Sequence, residues 1–205
     1  MRDGHAIVLV VEDTLSEAVM RKVIEHHSPT LAVAGRVFVT GGSGNIRANV
    51  ERYRNASNVY PHVVLTDLDQ YECPGALLAD WSVGQLPPNL LFRIAVRSVE
   101  SWLLADRERI AQFLQIPLNK VCQAPENVVD CKHELISLAR RARSRRLATE
   151  LCPATGSIAK QGPLYNAHMT RFVRESWRVD VATSGAASLK RACVRMSELS
   201  RRLSA

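Results

Sequence analysis

No stretch of this chain is apolar for long enough to cross a bilayer. The longest run, Ala6 to Val11, is about a third of what a spanning helix needs. Nothing like a small-residue cleavage pattern follows Arg2-Asp3, which predicts a cytoplasmic protein with no signal peptide and no membrane partner. The five cysteines, Cys73, Cys122, Cys131, Cys152 and Cys193, are scattered, odd in number and never spaced Cys-x-x-Cys. That argues against a disulfide framework or a structural zinc site and predicts reduced, mostly structural thiols. There is no His-x-x-x-His pair and no Cys/His or Ser/His/Asp constellation, and His26-His27 reads as the cationic end of a helix. Internal repeats and low-complexity linkers are also missing.

The composition is that of a globular protein. Of 205 residues, 46% are hydrophobic and 23% charged, enough for one sizeable core. The net charge of +7 is unevenly spread. Residues 1–130 carry −3 and residues 131–205 carry +10. An acidic front half and a basic back half suit a metal-binding core beside a polyanion-binding surface, or an arginine-rich helical face that is merely solvated.

Apolar, β-branched runs alternate with amphipathic stretches. Strands are predicted at 6–11, 31–40, 63–66 and 91–96. Helices are predicted at 14–27 with Thr14 as cap, at 45–54, at 73–81 started by Pro74, and as one amphipathic segment over 98–114. After Pro117 the strands stop, and helices are expected at 133–147, 165–177 and 188–203. This order predicts an α/β fold with an open, mostly parallel sheet over 1–117, and a basic helical extension over 118–205 packed on it as one globular unit.

In such sheets ligand groups gather at the carboxyl ends of the strands. Here those ends carry Glu12, the Gly41-Gly42-Ser43-Gly44 turn, Asp67-Leu68-Asp69 and the segment leading to Glu100. On an extended strand tip, positions i and i+2 share a face, so Asp67 and Asp69 are expected to project together. Two adjacent carboxylates call for a cation, and a hard divalent ion such as Mg²⁺ or Mn²⁺ is the usual answer. Glu12 is then a candidate ligand or proton acceptor. An isolated acid in its place is often only a helix N-terminal residue. Glu100, in the first turn of its helix, is the further candidate ligand, whereas Asp106 reads as a structural ion-pairing residue.

The stretch Gly42-Ser43-Gly44 is a weak candidate phosphate loop. It lacks the Gly-Lys-Ser/Thr ending of a nucleotide-hydrolysing loop, and a tight strand-to-helix turn explains it equally well. Arg140, Arg141, Arg143, Arg145 and Arg146 put five arginines within seven residues. Arginine matches phosphate bidentately, so the cluster is a candidate nucleic-acid contact, with an acidic protein surface as the alternative. Lys132 and Lys160 are candidates for stabilising charge on a phosphate.

A glutamate after the first strand followed by Asp-x-Asp after a later hydrophobic strand resembles the signature of the Toprim domain, the fold of topoisomerases, primases and the nucleases of the overcoming-lysogenization-defect type. The segment Arg93-Ile94-Ala95-Val96-Arg97-Ser98-Val99-Glu100-Ser101-Trp102-Leu103-Leu104-Ala105-Asp106 resembles a family of small bacterial Toprim-related proteins often encoded beside an ATPase. Lys132-His133-Glu134-Leu135, Gly162-Pro163-Leu164-Tyr165 and residues 184–189 fit the same family. The resemblance implies a metal-dependent nuclease acting on nucleic acid, DNA foremost, with Glu12, Asp67 and Asp69 as the catalytic acids. It also implies an ATPase partner and a role in defence against phage. The alternative is a non-catalytic subunit that binds an ATPase or nucleic acid, and self-association is left open. Two departures bear on that choice. Asp13 stands where Toprim sequences usually have glycine, and Ser16 stands where nuclease relatives often have a second acid, with Glu17 one place later.

Overall fold

A computed structural model of the chain describes residues 5–28 and 30–205, with the side chains of 34–36 left aside. Arg2 and Asp3, on which the reading of the N-terminus rests, lie outside the described residues. The chain forms two compact units, one made of 1–96 with 188–205 and the other of 97–187.

The first unit is an α/β sheet with helices. Its elements are β1 (His5–Val11), α1 (Thr14–His27), β2 (Leu31–Val39), α2 (Ser43–Ala48), α3 (Val50–Ala56), β3 (His62–Asp67), α4 (Pro74–Asp80) and β4 (Leu90–Ala95). All pairings are parallel and the order is β2-β1-β3-β4. Strands of a parallel sheet are covered on both faces, and β1 accordingly reads as a continuous apolar run in which Ile7 and Leu9 to Val11 are wholly buried. On one face, Phe92 and Ile94 of β4 join Val64, Leu68, Leu77 and Trp81 in a core cluster. Helix α1 starts as predicted, but its cap is Asp13, whose carboxylate accepts from Ser16 N at 2.8 Å, rather than Thr14. The segment expected as one helix over 45–54 is two short ones. They part at Asn49, whose side-chain amide donates to the Asn45 carbonyl at 2.8 Å and competes with helical bonding.

The second unit is helical: α5 (Val99–Ala105), α6 (Arg107–Leu114), two 3-10 turns, α7 (Cys131–Ala139), α8 (Arg145–Leu151), α9 (Tyr165–Glu175) and α10 (Val179–Gly185). The helix expected over 98–114 is broken at Asp106. That residue is fully buried, and its carboxylate accepts from Arg178 N, Nε and Nη2 at 2.9, 3.0 and 2.6 Å. Every residue of α5 is buried, with Trp177 Nε1 donating to the Trp102 carbonyl at 3.0 Å. The helix expected over 133–147 is likewise two, with Ser144 capping α8.

The division therefore falls at 96/97 rather than at 117, and the tail is not one extension. Helices α5 and α6 pack with the helical segment, while α11 (Ala187–Leu203) returns to the sheet unit. There Ser188 Oγ accepts from Val96 N at 3.2 Å, Ser197 Oγ donates to the His27 carbonyl at 3.2 Å, and the Ser200 hydroxyl meets that of Thr30. No disulfide joins the five cysteines, and among the described residues no helix is long and apolar enough to cross a membrane.

Candidate functional site

The order β2-β1-β3-β4 makes the chain turn one way after β1 and the other way after β2. The topological switch point thus lies between β1 and β3, where ligand groups converge in open α/β sheets. Glu12 follows β1 directly and Asp67 ends β3, one on each side of that point. The two are locked together, because Glu12 Oε1 accepts from Thr66 Oγ1 at 2.6 Å and from the Asp67 backbone N–H at 2.8 Å.

Glu12 is a strained carboxylate electrostatically. Burial raises its pKa above the ordinary 4.5, the Thr66 hydroxyl and the Asp67 N–H pull it down, and the charges of Asp69 and Asp13 push it up again. Oε2 takes no hydrogen bond among the described residues. This donor set suits a hard divalent ion, which prefers carboxylate oxygens. The carboxylates of Glu12, Asp67 and Asp69 do not form a set with ligand atoms all within 4.8 Å of one another. Closing them on one ion requires a side chain to move, and Asp69 is the exposed member.

The expectation that Asp67 and Asp69 share a strand face is not met. The strand ends at Asp67, the buried Leu68 still bonds through its N–H to the Ala95 carbonyl at 2.8 Å, and Asp69 then turns with a left-handed φ of 51°. A turn, rather than strand alternation, is what brings the Asp69 charge to bear on Glu12.

The glycine turn abuts the same place. Gly41 N donates to the Glu12 carbonyl and Thr40 N to that of Val11, both at 2.9 Å. Gly41 and Gly42 have φ of 78° and 137°, which only glycine adopts without strain. Gly42, Ser43 and Gly44 thereby stand beside Glu12 as a strand-to-helix turn, held by Asn45 Nδ2 on the Thr40 carbonyl at 2.7 Å.

The remaining candidates belong to the second unit or are committed to other partners. Asp13 is a helix cap, and Glu17 pairs with Arg21 at 2.8 Å, so neither replaces the acid missing at Ser16. Glu100 belongs to the second unit, where Tyr165 Oη lies 3.2 Å and Lys132 Nζ 3.4 Å from Oε1, and Ser98 Oγ donates to Oε2 at 2.7 Å. Both its oxygens thus have protein partners. Lys160 is exposed, as are Arg140, Arg141, Arg143, Arg145 and Arg146. The arginines do not encircle one helix. They occupy the turn between α7 and α8 and the first residues of α8. Arg146 pairs with Glu150 at 2.8 Å, and Glu150 also takes His168 Nε2 at 2.6 Å, which together hold its pKa low.

Sequence reasoning missed Thr66, the buried hydroxyl that orients Glu12. Its signal was a polar residue closing an otherwise apolar run, but its partner depends on β1 and β3 being neighbours. No protein-family model, no curated protein and no solved structure matches this chain.

Proposed function

We propose that this chain is a Mg²⁺- or Mn²⁺-dependent endonuclease of the Toprim type, a cytoplasmic protein that acts on DNA with an ATPase partner in anti-phage defence. The supporting observation is the pair Glu12 and Asp67 at the switch point, with Asp69 close enough to raise the Glu12 pKa. Asp67 and Asp69 would hold the ion, with Glu12 beside them. A bound divalent ion supplies a water of lowered pKa and charge stabilisation for phosphodiester displacement. Glu12, with its pKa raised by burial, is suited to accept a proton from the attacking water. Thr66 and the Asp67 N–H fix the orientation of that carboxylate. The exposed arginines at 140–146 would hold the phosphate backbone. The partner and the defence role rest on the family resemblance alone.

A second reading, a non-catalytic Toprim-like subunit, is favoured by the commitment of Asp13 and Glu17 to a cap and an ion pair. Plasmid nicking with Mg²⁺ or Mn²⁺ decides between them, run alone and with any ATPase found encoded beside this chain. Activity is expected from the wild type and a loss of at least about a hundredfold from Asp67→Ala. No cleavage in any arm, or equal cleavage by Asp67→Ala, favours the binding subunit. Replacing the five arginines by glutamine should weaken DNA retention and flatten its salt dependence, and unchanged retention would point to a protein partner.

A further inference from the structure

Away from the strand tips, the sheet unit contains a second polar feature. A cavity of about 420 Å³ opens between the segment leading into β4 and helix α11, lined among others by Pro88, Leu91, Arg93, Arg195, Glu198 and Arg202. It lies beside the amino end of β4, whereas Glu12 and Asp67 stand at carboxyl ends of strands. Because side chains alternate along β4, Phe92 and Ile94 enter the core cluster while Arg93 points to the side that α11 covers.

Helix α11 presents a charged row there. Arg191, Arg195, Glu198 and Arg202 recur at helical spacing, and Arg191, Arg195 and Glu198 all act electrostatically on Arg93. Two of the cations lining the cavity are occupied. Arg195 pairs with Glu198 at 2.7 Å, and Arg202 donates to the carbonyl of Pro88 and to Asn89 Oδ1 at 3.4 Å. Arg93 is not. Its side chain makes no hydrogen bond and no ion pair among the described residues, and its Nε is buried with no partner at all. Burial, followed by Arg195 and Arg191, disfavours its charged form, and Glu198 opposes them. A guanidinium left so is costly unless something else satisfies it.

We propose that this cavity is an oxyanion-binding site whose ligand is a phosphate monoester, with the unpaired Arg93 fork as its anchor and Arg195 and Arg202 as flanking cations. Charge selects the phosphate. Arg93, Arg195 and Arg202 against Glu198 leave +2 in the cavity lining, which a phosphate dianion balances and a single carboxylate does not. The apolar walls at Pro88 and Leu91 suit an ester group rather than a fully hydrated ion. The site is independent of the metal-site reading.

Calorimetric titration of the full chain with phenyl phosphate, inorganic phosphate and acetate, at about pH 8 and low chloride, tests this. Saturable binding of phenyl phosphate is expected, with a loss on the order of tenfold or more in Arg93→Met. Arg195→Gln, at an exposed position, should cost about threefold. It keeps the test decisive if the Arg93 variant does not fold. Tighter phenyl phosphate than inorganic phosphate supports the ester, and equal binding supports the free oxyanion of the same chemistry. No saturable binding, acetate binding as tightly as phosphate, or unchanged affinity in the variants would overturn the site.

Discussion

Burial and two neighbouring carboxylates raise the pKa of Glu12, and the Thr66 hydroxyl and Asp67 N–H only partly offset them. A carboxyl whose folded pKa exceeds its unfolded one binds its proton more tightly in the native state. The stability it contributes is present below about pH 4.5 and is lost as pH rises through the folded pKa. Glu12→Gln, which never ionises, should therefore melt at a higher temperature than the wild type near neutral pH. The gain should vanish toward about pH 4. A constant difference across that range in thermal melts would contradict the assignment. Thr66→Val should act oppositely. Losing a buried donor to a half-buried carboxylate costs about 1.5 kcal/mol by urea denaturation, and raises the Glu12 pKa further by carboxyl NMR titration.

At the scale of elements, α8 and the turn after it depend on one glycine. Gly162 N donates to the Leu151 carbonyl at 2.9 Å and Leu164 N to that of Glu150 at 3.0 Å, drawing this backbone against the end of α8. A Cβ on Gly162 would stand 2.4 Å from the Glu150 oxygen and 2.5 Å from the Leu151 carbonyl carbon. Both are backbone atoms, which a side-chain rotation cannot move aside. Gly162→Ala should destabilise the protein by about 2 kcal/mol or more in urea denaturation, whereas Gly156→Ala meets nothing within 4 Å and should show only the strain of its φ of 80°. Local signals of this kind explain what was legible in the chain. The four strands and α1 follow from short β-branched runs and a nearby cap, and Glu12 and Asp67 were readable as acids closing such runs. The break at Asp106 was not, because 98–114 is amphipathic throughout and the residue that captures Asp106 is Arg178, 72 positions on. The split of the arginine-rich helix at Ser144 escaped for a similar reason, since Arg143 N bonds to the Leu114 carbonyl of a distant helix. The same limit applied to Arg93, whose isolation depends on the return of α11.

At the scale of the molecule, the acidic front and basic back of the sequence do not map onto the two units. Residues 1–96 carry −2, but 188–205 carry +4 and join them, so the sheet unit is at +2 and residues 97–187 at +5. A basic helix drawn from the far end of the chain thus covers an acidic sheet segment. Charge is not all that the helix brings, since Leu189, Ala192, Cys193, Met196 and Leu199 are all buried. Burying Leu189, Met196 and Leu199 is worth roughly 2 kcal/mol each. The total of about 6 kcal/mol is comparable with the roughly 5–15 kcal/mol that holds a whole domain folded. Ending the chain at Ala187 should accordingly abolish the cooperative unfolding of the sheet unit, read by hydrogen exchange as loss of the protected amides of β1, β3 and β4. A chain cut there that unfolds at the full-length midpoint would show that α11 is dispensable. The sheet would then have to be stabilised within 1–96 alone, and Arg93 would lose the arginine row that makes its cavity a site.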